Sequence, residues 1–585
     1  MAARASGRSW GSNMAFKSFA LTIVVATALG AATLDAQQSP TAKAQESRRF
    51  YADDPMWSDN DMRDIAPVAK DDLSKSYDFV HNTFTKRATL RAPSVNVNTL
   101  GEVPDSSWFT NRIGVRDMTI DEVLQGPDTI EGPAPGPWEV IGHPTAGITP
   151  KFAIRDANGN VFLIKLDPAS IPELASSVEL IATKIFHAVG YIVPEDFIAA
   201  LDPQQLRVSK DVRIKTETGR ERAMTIADVH TWLKHQPRQA DGTIRVLASR
   251  WVPGKVVGSF RFTGTRPDDP NDIYPHDQRR ELRGLRVFAA WLNHDDARSL
   301  NSIDSYVEED GRRYIRHYLQ DFGSTLGSGS TSAQQPRGGY EYLIEKDKIG
   351  KGLVTFGLWQ RDWMKAKYSE LPSLGNIESR VFDPAGWRTE YPHPAFDAMD
   401  AEDGFWAARI AARFSDGMIR AIVAAGKLSS PEAAEQLSRI IIERRDKVVR
   451  HWIAGVNPLD QFEVRSGNHG PILLFDNAAV RNGVKAPGES YQTSWSTFDN
   501  MTGVETSVTD VEEYSEPVAW VPVSAFGPAD SSGARYVVAT IRTINPAFPQ
   551  WLKPVRVTLR DRDGVIDIVG IDRGGAPSVS STTNN

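Results

Sequence analysis

The chain has 585 residues, enough for about three or four domains with separate hydrophobic cores. It contains no cysteine, which excludes disulfides, zinc-thiolate centres and iron-sulfur clusters, so any metal must be held by oxygen or imidazole ligands. The net charge of -7 provides no general attraction to phosphate backbones or to anionic membranes, and we expect no nucleic-acid partner.

The first feature along the chain is an apolar run over residues 19–34, preceded by basic residues. The run is shorter than the ~20 residues that a membrane-spanning helix needs, and Ala36 is a small residue suited to cleavage. We therefore predict a signal peptide over residues 1–36, no transmembrane span after its cleavage, and export to the periplasm or the extracellular space. The alternative is an uncleaved N-terminal anchor, because the residues before Ala36 match a cleavage site imperfectly.

Residues 37–140 are predicted to form a polar linker followed by an extension rich in Trp and Pro. The aromatic residues of this extension, for example those within residues 104–112, are typical of core or interdomain packing, and we assign them no chemistry. A cluster of Pro and Gly over residues 132–138 marks a boundary.

A hairpin and a helix are predicted next. Residues 151–167 contain two apolar runs around Asn158 and Gly159, a dipeptide that is typical of hairpin turns. A capping box is predicted at residues 170–173, and apolar residues then recur at helical spacing until Gly190.

The middle of the chain alternates strands, helices and loops. Residues 244–252 are β-like, and a second long helix is predicted over about 277–292. Two further β-like runs flank Asp310 and Gly311, which again predict a hairpin turn. Residues 324–339 are poor in apolar side chains, and we predict that they are mobile.

The last third changes from helical to β-rich sequence. Residues 404–453 are predicted to be helical, with Gly426 as a stop and Ser430 as a new N-cap. Short β-rich runs then predict an all-β domain over residues 463–573. Residues 574–585 are predicted to be a disordered tail.

The chain also carries the residue types that phosphoryl transfer requires: a lysine for the phosphates, oxygen ligands for magnesium, and a carboxylate beside the acceptor hydroxyl. Lys165 lies in the second strand of the predicted hairpin, and the following helix can supply a carboxylate partner for its ammonium group. Glu173 and Glu179 are the alternatives for this partner. We favour Glu179, because helix capping already explains Glu173.

A second group of candidates follows the second long helix. Asp296 and Asn301 have the spacing D-x-x-x-x-N, in which the Asp acts as base and the Asn binds a metal ion. Asp321 begins the tripeptide Asp-Phe-Gly and is the second expected metal ligand. Asp295 is an alternative base, but it stands one residue too far from Asn301, so we interpret it as a loop-structuring residue.

With these residues in this order, the chain resembles the kinase superfamily, in particular its atypical bacterial branch of HipA-like kinases and the spore-coat kinase CotH. The resemblance covers residues 140–455. It implies an α+β, bilobal kinase-like fold with an antiparallel β-rich N-lobe over residues 141–262 and a helical C-lobe over residues 263–457. The N-terminal extension and the C-terminal all-β domain would flank these lobes.

The resemblance extends to a short loop before the hairpin. In HipA-like proteins a Gly-x-x-Pro-Lys segment covers the phosphates of the nucleotide, and the similar segment here implies nucleotide binding by Gly147, Thr149 and Lys151 together with Lys165. One departure is that Asn293-His294-Asp295 stands where many kinases carry His-Arg-Asp.

The resemblance implies catalytic roles for Asp296, Lys165 and Glu179, and metal ligation by Asn301 and Asp321. We interpret the chain as an exported atypical kinase that transfers phosphate from a magnesium nucleotide, ATP or another NTP, to a hydroxyl group on an unknown protein or small molecule. The alternatives are a kinase-fold binding or scaffold protein without transferase activity, and AMP transfer on the same fold.

Overall fold

The computed structural model describes residues 49–85, 92–143, 151–215, 220–356, 358–468 and 470–574. The predicted signal peptide and residues 575–585 of the predicted tail lie outside this part of the chain. The α-helices are α1 (Lys75–Phe84), α2 (Ile120–Gln125), α3 (Leu174–Val189), α4 (Ile226–Leu233), α5 (Arg280–Leu292), α6 (Lys346–Val354), α7 (Pro394–Ala398), α8 (Ala401–Ala411), α9 (Asp416–Ala425), α10 (Pro431–Ile453) and α11 (Ala478–Arg481).

The strands are β1 (Trp138–Gly142), β2 (Lys151–Arg155), β3 (Val161–Leu166), β4 (Asp196–Leu201), β5 (Leu206–Val208), β6 (Arg213–Lys215), β7 (Glu221–Ala223), β8 (Ile244–Arg250), β9 (Lys255–Gly258), β10 (Ser302–Glu309), β11 (Arg312–Leu319), β12 (Leu459–Gly467), β13 (Gly470–Asn477), β14 (Ser490–Phe498), β15 (Glu505–Ser507), β16 (Glu512–Tyr514), β17 (Val518–Trp520), β18 (Arg535–Ile544), β19 (Val555–Arg562) and β20 (Val565–Asp572). Helices and sheets alternate along the chain, so the predicted mixed α+β class is confirmed.

The predicted hairpin lies inside a sheet with the strand order β4-β8-β3-β2-β1-β5. β2 and β3 pair antiparallel, and Gly159 takes a positive φ of 86° in their turn, which a residue without a Cβ adopts easily. Phe152 and Ile164 pair across the hairpin and are fully buried, so this face of the sheet belongs to the hydrophobic core. Because side chains alternate along a strand, Lys151 and Lys165 lie on the opposite face.

The helix after the hairpin, α3, ends before Gly190 as predicted, but its start differs. Glu173 has a φ of 69° and makes no side-chain cap, so the predicted capping box is wrong. Asp167 satisfies the first turn instead, because its carboxylate accepts hydrogen bonds from the amide nitrogen and the hydroxyl of Ser176 at 2.8 and 2.7 Å. The carboxylate of Glu173 accepts from the amide nitrogen of Ser429 at 2.9 Å, which explains its displacement from the cap.

The second long helix, α5, begins at Arg280, because a short 3-10 turn takes up the residues before it. The hairpin predicted around Asp310 and Gly311 is confirmed by the antiparallel pairing of β10 with β11. β9 pairs with the other edge of β10, which gives a small sheet in the order β11-β10-β9. The β10–β11 hairpin of this sheet directly follows the polar loop after α5.

Residues 324–339 pack against the rest of the chain, and the prediction that they are mobile is wrong. Thr325 and Leu326 are buried. The amide nitrogen of Leu326 donates to the carbonyl of Leu292 at 2.7 Å, and the hydroxyl of Thr325 donates to the carbonyl of Phe322 at 2.7 Å. Hydrogen bonds therefore fix a segment whose low apolar content suggested mobility.

The helical prediction for residues 404–453 is confirmed as α8, α9 and α10. α9 ends before Gly426, and the hydroxyl of Ser430 caps α10. Trp291 of α5 and Trp406 of α8 are fully buried in the large core that these helices share.

The strands after α10 form two antiparallel sheets. β12, β13 and β17 make one, while β14 to β16 and β18 to β20 make the other. Buried side chains from both sheets form one core, to which Trp495 and Val557 belong. The first of these strands begins at Leu459, slightly ahead of the predicted start.

The residues before β1 are tied to several parts of the structure. The amide nitrogen of Phe50 donates to Oδ1 of Asn500 in the C-terminal sheets at 2.8 Å. The ring of Trp108 stacks on His317 of β11 at 3.5 Å between centroids, and the guanidinium of Arg279 lies 4.5 Å from the same ring. The interpretation of this aromatic segment as packing is confirmed.

Candidate active site

Two lysines share one face of the N-terminal sheet. Lys151 of β2, Lys165 of β3 and Leu247 of β8 are direct cross-strand partners, so their side chains project to the same side. Lys165 is only 9% exposed, whereas Lys151 is half-buried. A buried ammonium group requires carboxylate partners, because burying an unpaired charge is costly.

The helix α3 supplies the first of these partners. Nζ of Lys165 donates to Oε1 of Glu179 at 2.5 Å, and the side chain of Glu179 is buried. The neighbouring apolar residues of α3 pack into the large core, which fixes Glu179 over the sheet. Glu173, the alternative partner, instead accepts from the hydroxyl of Ser373 at 3.1 Å. The structure therefore joins Lys165 to Glu179.

The loop after α5 holds Asp296 and Asn301 together. Asn293 ends α5 with a left-handed φ of 53°, and a 3-10 turn over Ser299–Asn301 closes the loop. Nδ2 of Asn301 donates to the backbone oxygen of Asp296 at 2.8 Å and to its Oδ2 at 2.9 Å. Arg298 reaches Oδ1 of the same carboxylate at 2.9 Å. The polar side chains of this loop thus form one hydrogen-bonded unit.

The hairpin of β10 and β11 returns the chain to this loop and delivers Asp321. The first residue of β10 pairs with the last residue of β11, and the amide nitrogen of Gln320 donates to the carbonyl of Asn301 at 3.0 Å. Asp321 follows with a φ of 62°, and its Oδ1 accepts from Nζ of Lys165 at 3.0 Å. The strand lysine, the helix glutamate and the two loops therefore converge.

The two residues after Asp321 anchor it. The buried ring of Phe322 stacks on Phe186 of α3 at 4.7 Å between centroids. A Cβ on Gly323 would lie 3.1 Å from Oγ of Ser330 and 3.3 Å from Oε2 of Glu179, so a larger residue here would displace groups beside the lysine. The tripeptide is thus connected to α3 through both its aromatic ring and its glycine.

These groups surround one narrow cleft. Its walls come from β3, the first turns of α3, β8 and the segment after β11, with Lys165, Leu166, Ala175, Ser176, Glu179, Leu247, Asp321, Gly323 and Ser330 as lining residues. Ser330 belongs to the segment predicted to be mobile, and its hydroxyl lies 3.0 Å from that of Ser324.

The charges of the cleft stabilise one another. Burial opposes the charge on Lys165, but Asp321, Glu179 and Asp196 outweigh this effect and raise its pKa. Lys165 in turn lowers the pKa of Asp321, which is therefore ionised. Burial lowers the pKa of Lys151, and the nearby charge of Asp321 opposes that shift. The cleft thus holds an ammonium group that stays charged, beside the ionised Asp321 and beside Glu179, whose pKa is raised by burial and lowered by Lys165, with burial the larger effect.

The two adjacent carboxylates in the loop after α5 differ in their surroundings. Burial raises the pKa of Asp296 to about 6, with Arg298 and Asn301 acting in the opposite direction. Burial raises the pKa of Asp295 to about 8, and the charge of Asp296 adds to this shift. The side chain of Asp295 bonds to Gln334, so it holds the packed segment after β11, whereas Asp296 contacts the proposed metal ligand.

The donor atoms fit a magnesium ion that is also bound by phosphates. Among the described residues, no group of three or more His, Cys, Asp or Glu side chains is arranged to hold a metal ion alone. Lys165 engages Oδ1 of Asp321, whose side chain is 39% exposed, so Oδ2 is the oxygen that can reach a cation. Nδ2 of Asn301 donates to Asp296, which leaves its amide oxygen as the ligand atom. Magnesium usually combines one or two such protein oxygens with phosphate oxygens and water.

Two of the predicted nucleotide-binding residues, Gly147 and Thr149, lie outside the described residues. Lys151, the third, projects beside Lys165 on the face of the sheet that carries the cleft. Its half-buried position permits contact with an anion.

Sequence reasoning missed two residues that contact the loop after α5. Arg298 stands two residues after Asp296, and this proximity could have indicated the ion pair between them. Asp78 of α1 accepts hydrogen bonds from the hydroxyl of Ser299 at 3.1 Å and the hydroxyl of Tyr391 at 2.7 Å. Asp78 is 221 residues from Ser299, so no local pattern could have indicated this contact.

Comparison with known proteins gives kinases as structural neighbours. The proinflammatory kinase CtkA of Helicobacter pylori aligns with 53% of this chain and 93% of its own, at 14% identity and a TM-score of 0.29. The Golgi casein kinase aligns with 57% of this chain and 76% of its own, at 10% identity and a TM-score of 0.25. The same kinase with Mn/ADP bound covers 57% and 75% at 10% identity and a TM-score of 0.25. TM-scores this low carry no argument about function.

No protein-family model and no curated protein sequence matches the chain. The chemistry of the cleft therefore has to be argued from its own residues.

Proposed function

We propose that this chain is an atypical kinase that binds a magnesium nucleotide, ATP or another NTP, and transfers phosphate to a hydroxyl group of a protein or small molecule. The observation that carries the proposal is the ammonium group of Lys165, held between Glu179 and Asp321 at 2.5 and 3.0 Å, beside the loop of Asp296 and Asn301. A structural lysine needs only one carboxylate to balance its charge. The additional acidic and amide groups at one cleft match the needs of phosphoryl transfer.

Each residue has one role in this proposal. A bound magnesium nucleotide supplies the phosphoryl group and the cation that neutralises its charge. Lys165 holds phosphate oxygens while Glu179 orients its ammonium group, and Asp321 and Asn301 offer oxygens to the cation. Asp296 accepts the proton that the acceptor hydroxyl loses as its oxygen bonds to phosphorus and the bond to the nucleoside diphosphate breaks. With a pKa of about 6, Asp296 is ionised at neutral pH and can act as base.

One observation favours a second candidate, a kinase-fold binding or scaffold protein. Arg298 pairs with Oδ1 of Asp296 at 2.9 Å while Asn301 donates to Oδ2 at 2.9 Å, so both oxygens of the proposed base are engaged. If Arg298 kept this position in the nucleotide complex, the chain would bind nucleotide without transferring phosphate. AMP transfer on the same fold is a further alternative, in which the α-phosphorus is attacked.

The test combines nucleotide binding with transfer. The full chain is incubated with Mg²⁺ and ATP labelled at the γ or the α phosphate, and label on protein and ADP release are measured. We expect the wild type to show γ label, ADP release and a thermal shift. All three should disappear in Asp321→Asn and persist in Asp241→Asn, a control in an exposed turn. A thermal shift without label identifies the binding protein, α label identifies AMP transfer, and no response to nucleotide refutes all three.

The proposal also covers the organisation and location of the chain. It assigns the bilobal arrangement of the HipA-like and CotH-like kinases to residues 141–262 and 263–457, with the all-β domain at 463–573. The separate cores of the N-terminal sheet and of the C-terminal sheets support this division. Export through a signal peptide at residues 1–36 is part of the same proposal. Fractionation of expressing cells tests it, since a chain retained in the cytoplasm would contradict export.

A further inference from the structure

The end of α6 and the residues just after it expose large apolar side chains in succession. Leu353, Val354, Phe356 and Leu358 are 73%, 80%, 93% and 87% exposed. We call these four residues the apolar tip. Side chains this exposed project from the surface, because a residue in a groove would be covered on at least one side.

The apolar tip continues onto neighbouring surface. Ile349, one turn earlier in α6, and Met364 in the following 3-10 turn are also exposed. Exposed large apolar side chains that stand this close together in the chain are unfavourable in water and typically mark a site of interaction with a protein or a membrane. Nothing in the packing of the described residues explains why this one stretch is so apolar.

The charge of the segment distinguishes it from the rest of the chain. Residues 346–367 contain six basic and two acidic residues, although the whole chain has a net charge of -7. Lys348, Arg361 and Lys365 pair with Glu345, Glu341 and Asp362, so three of the basic residues are balanced locally. The remaining excess of positive charge includes Lys351 and Lys367, both of which are exposed.

Two tryptophans follow the apolar tip in the chain. Trp359 and Trp363 are half-buried, and the ammonium group of Lys351 lies 5.8 Å from the ring of Trp359. Tryptophan and lysine beside projecting apolar side chains form the composition that places a segment at a membrane-water interface, with the aromatic rings and charges at the headgroup level.

We propose that residues 348–356 and 358–367 form a membrane-docking element that inserts the apolar tip into the surface of an anionic bilayer. A fluid bilayer accommodates projecting side chains without a complementary pocket, and its negative headgroups match the exposed lysines. A protein partner would need a hydrophobic groove together with an acidic rim. Membrane docking does not depend on phosphate transfer and holds equally for a binding protein.

The test is co-sedimentation of the full chain with vesicles of phosphatidylcholine alone and of phosphatidylcholine mixed with phosphatidylglycerol. We expect binding to the anionic vesicles, weakened by salt. Phe356→Ser combined with Leu358→Ser should lower the partition coefficient at least about tenfold, because two large apolar side chains no longer enter the bilayer. Val565→Ser is the matched control, since Val565 is 69% exposed in β20 and lies outside the element.

Thermal melting of both variants shows whether they fold, and fully exposed positions should tolerate serine. Lys351→Gln combined with Lys367→Gln should reduce binding to the anionic vesicles and remove part of its salt dependence. Failure of the wild type to bind either vesicle overturns the proposal, as does equal binding by the double serine variant. A wild-type dimer in sedimentation velocity that the double serine variant converts to a monomer also overturns it, because a second copy would then cover the apolar tip.

Discussion

The substitution Glu179→Gln removes one charge from the ion pair that holds Lys165 and keeps the shape of the side chain. The two side chains are only 11% and 4% exposed, so water screens their attraction weakly. At 2.5 Å and an effective dielectric constant of about 20, the two charges attract by about 7 kcal/mol before desolvation is counted. Removing one partner of a buried pair typically costs about 3–5 kcal/mol. Because Asp321 stays 3.0 Å from the same ammonium group, we expect the lower end, about 3 kcal/mol.

The same substitution should weaken nucleotide binding and transfer. Without Glu179, the ammonium group of Lys165 is held by Asp321 alone. This contact competes with the binding of a cation by the carboxylate of Asp321. We expect a lower melting temperature, a smaller thermal shift with magnesium nucleotide, and a transfer rate reduced at least about tenfold. Glu195→Gln is the control, because Glu195 pairs with Arg250 at 2.7 Å without contacting Lys165, so it should affect melting but not nucleotide binding. Wild-type melting and wild-type ADP release by Glu179→Gln would refute this reasoning.

Three further predictions concern other groups. Asp321→Asn should abolish the thermal shift with ATP at every Mg²⁺ concentration of a titration, and a shift that still grew with Mg²⁺ would remove Asp321 as a ligand. Burial lowers the pKa of His187 to about 3, against about 6.5 in the unfolded chain, so its contribution to stability is complete above pH 6.5 and declines as the pH falls. Between about pH 3 and pH 6.5, the free energy of unfolding from urea titrations should therefore vary less with pH for His187→Gln than for the wild type. Trp108→Ala should lower the free energy of unfolding by about 3–5 kcal/mol in urea titrations, because it removes the ring that stacks on His317, and a cost below about 1 kcal/mol would contradict this packing.

The sequence predicted those features that depend on neighbouring residues. Asn158 and Gly159 specified the hairpin because a tight turn needs residues that tolerate a positive φ. Apolar periodicity predicted α3 up to Gly190, and the turn residues Asp310 and Gly311 predicted the β10–β11 hairpin. The candidate residues Lys165 and Asp321 were found through their order and spacing, which survive in sequence even though only folding brings them within 3.0 Å.

The predictions failed where distant contacts decide the structure. The cap of α3 is provided by Asp167, because Glu173 is bound to residues far along the chain, including Ser373 and Ser429. Residues 324–339 are held by the catalytic loop: Nδ2 of Asn293 donates to Oε1 of Gln334 at 2.6 Å. A sequence poor in apolar residues indicates mobility only when nothing else satisfies its polar groups, and here the loop after α5 does so.

The loop after α5, which carries the proposed base, is also held by a residue outside the region that resembles a kinase. Asp78 of α1 binds Ser299 and Tyr391 through the two oxygens of one carboxylate, and Ser299 lies between the proposed base Asp296 and the proposed metal ligand Asn301. A fragment that began at the predicted N-lobe would lose this carboxylate and leave two hydroxyl groups without their acceptor beside the base. Because these hydrogen bonds hold a residue of the loop that carries Asp296, the N-terminal extension supports the proposed active site, even though its sequence carries no catalytic motif.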